Sequence, residues 1–134
     1  MSVGELQKFL DREFPQVGGR IRLEECRDGR AVVRMNIGTS ELRPGGTVSG
    51  PTIFMLADVS IFLLVLSVIG PRALAVTTSS SIDFIRRPGP VDLVAEARLL
   101  KLGRRLAVGD VLVYSAAQEK PVARATLTYS IPDS

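Results

Sequence analysis

Residues 51–69, PTIFMLADVSIFLLVLSVI, carry a single charge, Asp58, in an otherwise apolar run with a few small hydroxyls. A carboxylate in apolar surroundings is costly unless a partner holds it there, and such groups are over-represented at functional sites. Placed so, Asp58 can serve as general base or as nucleophile. Ser49-Gly50-Pro51 opens the same run. Amides at a helix N-terminus are unpartnered and lie at the positive end of the dipole, so the Gly50 N–H can stabilise an oxyanion, whereas Pro51 has no N–H to offer. Ser49 suits two roles, orienting water or ligand and capping the helix. Thr77, Thr78, Ser79, Ser80 and Ser81 follow the run as a cluster of hydroxyls.

The chain has no histidine. That excludes Ser-His-Asp and Cys-His nucleophile systems and the commonest zinc sites, so no metal is expected. Cys26 is the only cysteine; it has no internal disulfide partner and reads as packing. Lys and Arg (17) exceed Asp and Glu (14) for a net charge of +3. With five Phe, two Tyr and no Trp, the chain lacks the basic stripe and interleaved aromatics of a nucleic-acid surface. A small polyphosphate ligand fits better: Arg86, Arg87, Arg104 and Arg105 stand at turns, where guanidinium forks can hold phosphates.

These groups need elements to position them. The 134 residues suit one domain, 1–134, with a real core. Val3, Leu6, Phe9 and Leu10 have helical spacing before Pro15, which predicts a short amphipathic helix over 3–14. Arg20–Cys26 and Ala31–Ile37 flank Asp28-Gly29 and predict a hairpin. After a stretch rich in Gly, Pro, Ser and Thr over 39–50, the run from Pro51 to Ile69 ends at Gly70-Pro71 and reads as a long helix, apolar on every face and therefore buried. Its length approaches that of a membrane span, but Asp58 within it, cationic flanks without asymmetry and the strands that follow favour a core helix. Four strand-like runs complete the chain: Leu74–Ile85, Asp92–Leu102, Leu106–Ala116 and Val122–Ile131. Their short connections imply antiparallel pairing. The expected fold is α+β, a curved antiparallel sheet wrapped around the long helix, with open edges that self-association would cover. The N-terminal residues have no apolar signal segment, so a cytoplasmic location is expected.

Gly46-Thr47-Val48-Ser49-Gly50-Pro51, Leu56-Ala57-Asp58 and Ser81-Ile82-Asp83-Phe84-Ile85-Arg86-Arg87-Pro88-Gly89, with Gly103-Arg104-Arg105-Leu106-Ala107-Val108 and Ala123-Arg124-Ala125-Thr126-Leu127-Thr128-Tyr129, resemble the phenylacetate-degradation-type acyl-CoA thioesterases of the hotdog superfamily. The likeness covers roughly residues 20 to 131. It implies a hotdog fold, a homodimer or homotetramer, an acyl-CoA substrate, no cofactor beyond the coenzyme A of that substrate, a catalytic role for Asp58 and a place for Thr77 near the thioester. The family's usual His-Gly-Gly and upstream Asn correspond here to Ser49-Gly50-Pro51 and Arg43.

Gly50 and Asp58 are eight residues apart, about 12 Å along a helix, too far to touch one carbonyl within one chain. If both act, they come from different subunits. Two readings stand: a thioesterase of small or medium, including aryl, acyl-CoA, with Asp58 as base or nucleophile, and a non-catalytic acyl-CoA-binding hotdog protein. A hotdog hydratase would want a histidine, and a DNA-binding sensor a longer N-terminal segment.

Overall fold

The computed structural model describes every residue except Gly18, Ala73, Leu74, Ala117 and Ser134. Helix α1, Val3–Glu13, starts at a capping box in which the Ser2 hydroxyl accepts from the Glu5 amide at 3.2 Å and the Glu5 carboxylate accepts from the Ser2 amide at 2.9 Å. Strands β1, Ile21–Arg27, and β2, Arg30–Met35, form the predicted hairpin. Its turn puts both Asp28 (φ 53°) and Gly29 (φ 72°) in the left-handed region, as a two-residue turn matched to strand twist requires.

Residues 39–50, rich in Gly, Pro, Ser and Thr, carry local structure: a 3-10 turn at Thr39–Glu41 and a minimal hairpin of β3, Leu42–Arg43, with β4, Thr47–Val48. Gly45 and Gly46, at φ 98° and 76°, allow that turn. Helix α2, Gly50–Ile69, follows, and then β5, Val76–Phe84, β6, Leu93–Leu102, β7, Leu106–Ser115, and β8, Ala123–Ser130. The predicted start of β5 at Leu74 lies outside the described residues. Six strands pair antiparallel in the order β1-β2-β6-β7-β8-β5, and α2 lies against them as the hotdog arrangement demands.

By length and composition α2 is apolar enough to cross a membrane, but its side chains pack against the sheet. Leu56, Ile61, Leu63, Leu64 and Leu66 are fully buried, each worth about 1.5–3 kcal/mol of transfer free energy. Burial is uneven around α2. Phe54, Met55, Asp58 and Val59 are only half-buried, and their spacing makes them neighbours along one side of the helix. Apolar composition demanded cover for this side, and the single chain supplies only part of it.

Helix α2 packs closely over Gly109 on β7. A Cβ there would lie 2.5 Å from Ile61 Cδ1 and 3.0 Å from the Arg98 carbonyl oxygen, so the Ile61 methyl must turn aside and the neighbouring strand must give slightly to admit one. Gly109→Ala is expected to cost about 1–3 kcal/mol in urea unfolding, with a native-like dichroism spectrum.

Candidate active site

Asp58 stands at the third turn of α2, where the helix passes the start of β5 and the end of β8. Thr77 on β5 and Tyr129 on β8 face each other in register. Both side chains reach the same oxygen of Asp58: the Thr77 hydroxyl donates to Oδ1 at 2.5 Å and the Tyr129 hydroxyl at 2.7 Å. A register irregularity between Thr77 and Ser79 turns the strand locally, as bulges beside active sites commonly do. Tyr129 was not among the residues singled out from sequence. On an alternating strand it reads as core, and only the pairing with β5 reveals its partner.

The carboxylate lines a cavity of about 420 Å³. Leu10 of α1 and Phe14 at its C-cap, Met55 and Phe62 of α2, and Val76 at the start of β5 give it largely apolar walls. Phe62 meets Phe14 edge-on at 5.3 Å and Tyr129 at 6.1 Å. The wall is therefore aromatic next to the carboxylate, with room for an acyl group. A larger hollow, about 880 Å³, crosses the other face of the sheet and does not include Asp58. Its charges compensate one another, as in the two-point contact of Arg98 with Asp110 at 3.0 and 3.3 Å. The smaller cavity has the chemistry.

At the head of α2 the Ser49 hydroxyl accepts from the Thr52 amide at 3.4 Å and lies 2.8 Å from the Thr52 hydroxyl. Ser49 is thus the N-cap. Among the described residues the Gly50 N–H has no acceptor, and Pro51 follows it without an N–H. The ring of Phe84, at the far end of β5, lies over Gly50, and a Cβ on Gly50 would come within 3.2 Å of it. Gly50 and Asp58 therefore sit at opposite ends of β5 in one chain.

The arginines divide the same way. Ile85 and Arg86 amides donate to the Val122 carbonyl at 2.7 and 3.1 Å, which keeps Arg86 and Arg87 at the start of β8. The Ile131 amide donates to the Arg105 carbonyl at 2.8 Å, which keeps Arg104 and Arg105 at its end. The two pairs are separated by the length of β8, roughly 23 Å at 3.3 Å per residue, so one chain does not gather all four. Arg43, on β3, pairs with Thr47 of β4, three residues before Gly50. All five arginine side chains are exposed. Cys26 is half-buried and packs on the core.

Glu41 is a residue that sequence reading missed. Its carboxylate is buried and accepts from the Ser40 hydroxyl, the Gly38 amide at 2.8 Å and Arg20 at 3.0 Å, while its carbonyl accepts from the Ser49 amide at 3.0 Å. It fastens the segment that leads into α2. The Ser40 hydroxyl first, then the Gly38 amide and Arg20, hold its carboxyl below the usual 4.5 against the opposing effect of burial. Such a carboxyl binds its proton more weakly folded than unfolded. It stabilises the fold above pH 4.5 and loses that contribution as pH falls through its lowered folded value. Glu41→Gln is expected to lose about 1–3 kcal/mol at pH 7 and to show a flatter acid limb in a pH series of thermal melts.

The thioesterase superfamily model matches residues 45–122, from the loop before α2 to the start of β8. Among solved structures, a "putative thioesterase" from Silicibacter sp. TM1040 is 51% identical, with 99% of this chain and 93% of that one covered and a TM-score of 0.93. A mutant of the phenylacetic acid degradation protein PaaI from Thermus thermophilus is 28% identical over 88% of this chain and 99% of that one, TM-score 0.75. A protein of Streptococcus mutans UA159 bound to acetyl-CoA is 26% identical over 84% and 88%, TM-score 0.73. No curated protein sequence matches the chain.

Proposed function

The chain belongs to the thioesterase superfamily, and from that premise we propose that it is a cytoplasmic acyl-CoA thioesterase acting on small or medium acyl groups, aryl ones included. It needs no cofactor beyond the coenzyme A that the substrate brings. The observation that carries the reading is the Asp58 carboxylate, held by Thr77 and Tyr129 at the mouth of an apolar cavity. Acetyl-CoA on the Streptococcus mutans neighbour supports the ligand class.

The working unit is a homodimer, alone or paired into a tetramer, joined at the β5 edges. β5 ends the sheet, and an open edge invites pairing. Val76 and Phe84, near its two ends, are each 54% exposed, and the half-buried side of α2 adjoins it. A two-fold axis pairs two such edges antiparallel. The Phe84 end of one protomer then meets the Val76 end of its partner, which brings the Gly50 amide toward the partner's Asp58. The same operation brings Arg86 and Arg87 of one protomer to the end where the partner's Arg104 and Arg105 lie, so that cations flank each of two equivalent sites and can hold the coenzyme A phosphates.

In the reaction, water or Asp58 itself attacks the thioester carbonyl carbon, and as base Asp58 takes the water proton. The carbonyl oxygen becomes an oxyanion opposite the Gly50 N–H. Collapse of the adduct breaks the C–S bond, the thiolate takes up a proton, and a carboxylic acid and free coenzyme A result. By the direct route an acyl-aspartate forms first and water then releases the acid.

The test is thiol release from a panel of aromatic and aliphatic acyl-CoA thioesters, with binding measured in parallel by calorimetry. Turnover of one or more thioesters upholds the reading. The departures at Arg43 and Ser49 from the family pattern favour a second one, a hotdog protein that holds acyl-CoA without hydrolysing it. Binding without thiol release would establish it.

A further inference from the structure

The two oxygens of Asp58 are treated unequally. Oδ1 accepts both hydroxyls, from Thr77 at 2.5 Å and Tyr129 at 2.7 Å. Oδ2 accepts no hydrogen bond among the described residues, and none of their buried side-chain polar atoms lacks a partner. Oδ2 therefore reaches accessible surface, and Asp58 borders the apolar cavity. One oxygen is held by the protein and the other is left for chemistry.

We propose that Tyr129 is a positioning residue for the thioesterase reaction: with Thr77 it pins Oδ1, so that Oδ2 alone meets the water or the thioester carbon. The assignment rests on the thioesterase reading above. Geometry makes the clamp stiff. Its two donors come from adjacent strands at one register position, and the Tyr129 ring, 3% exposed, has no freedom to swing. The hydroxyl also lies 3.0 Å from the Asp58 carbonyl oxygen, but it has one proton, and the carboxylate is both the nearer and the charged acceptor. Burial first, and then the charge of Asp58, push the phenol well above its ordinary 10, so it stays a donor throughout the working range of pH. A ring that served only to fill the core would do so equally well as phenylalanine, which would spare the desolvation of a hydroxyl. The hydroxyl is spent on the carboxylate.

Tyr129→Phe removes that one atom and keeps the ring. With its melt confirming a folded protein, it is expected to lower kcat about 10-fold, a fraction of what an ångström of misplacement costs, with KM within about twofold of wild type. Thr77→Val removes the other donor to the same oxygen, so the double variant should lose less than the product of the two single losses. An unchanged kcat in Tyr129→Phe overturns the assignment. So does a raised KM at constant kcat, which would make the hydroxyl a substrate contact. Should Tyr129→Phe fail to fold, Thr77→Val alone decides, and an unchanged kcat there overturns the clamp. Absence of turnover in wild type sinks the proposed function first and the clamp with it, a different result from an active wild type beside an equally active variant.

Discussion

Asp58→Asn is expected to lower kcat at least about 100-fold, as for loss of a general base, while affinity for acyl-CoA stays within about threefold of wild type. Asparagine has nearly the same shape, and its carbonyl oxygen can still accept the Thr77 and Tyr129 hydroxyls that now meet Oδ1. The cavity wall is kept. The amide, however, can neither take the proton of water nor form an acyl bond to the substrate, so both routes of attack close together. Thiol release measures the first quantity and titration calorimetry the second. Asp58→Ala is a poorer probe, because it removes the acceptor of two part-buried hydroxyls and confounds chemistry with stability. Turnover of Asp58→Asn within about tenfold of wild type would reduce Asp58 to an acceptor that satisfies Thr77 and Tyr129.

Ser80→Glu combined with Ser81→Glu is expected to leave a folded monomer with about 100- to 1,000-fold less turnover, the loss that removal of an oxyanion donor brings. Both serines are exposed at the middle of β5, one on each face of the strand, and their partners across the ladder, Leu127 and Thr126, are uncharged. Ser80 shares a face with buried Leu127, so a thermal melt of the variant first confirms a folded chain. In an antiparallel pair of β5 edges, four of them would crowd about the two-fold axis, and like charges facing across a ladder repel. Separation leaves each Asp58 without its partner's Gly50 amide. Sedimentation velocity and thiol release should fall together. A monomer that keeps full turnover would mean that each chain holds a complete site, and an unchanged oligomer would place the interface on another surface.

Much of the fold was legible because short-range pattern encodes it. The spacing of Leu6, Phe9 and Leu10, the Asp28-Gly29 turn and the Gly-Pro stop after Ile69 each act over a few residues, and α1, the first hairpin and α2 formed where they predict. Asp58 stood out because a charge in an apolar run is anomalous whatever its neighbours in space. Glu41 and Tyr129 gave no such signal. A glutamate in a polar loop and a tyrosine on an alternating strand are ordinary, and their importance lies in partners at Arg20, Ser49 and Asp58. The arginines show the converse case. Sequence marks them only as cations at turns, and it is the fold that puts β8 between the two pairs.

By itself, then, the sequence determined the elements, the apolar character of the central helix and the carboxylate within it, since these depend on residues two to four positions apart. Only the tertiary structure decided that β5 lies at the edge of the sheet beyond β8, that Phe84 covers Gly50, and that Tyr129, 71 residues from Asp58, reaches its Oδ1. Register and strand order are settled by which faces α2 and the sheet must bury together, a condition imposed by the whole chain at once and written in no single stretch of it.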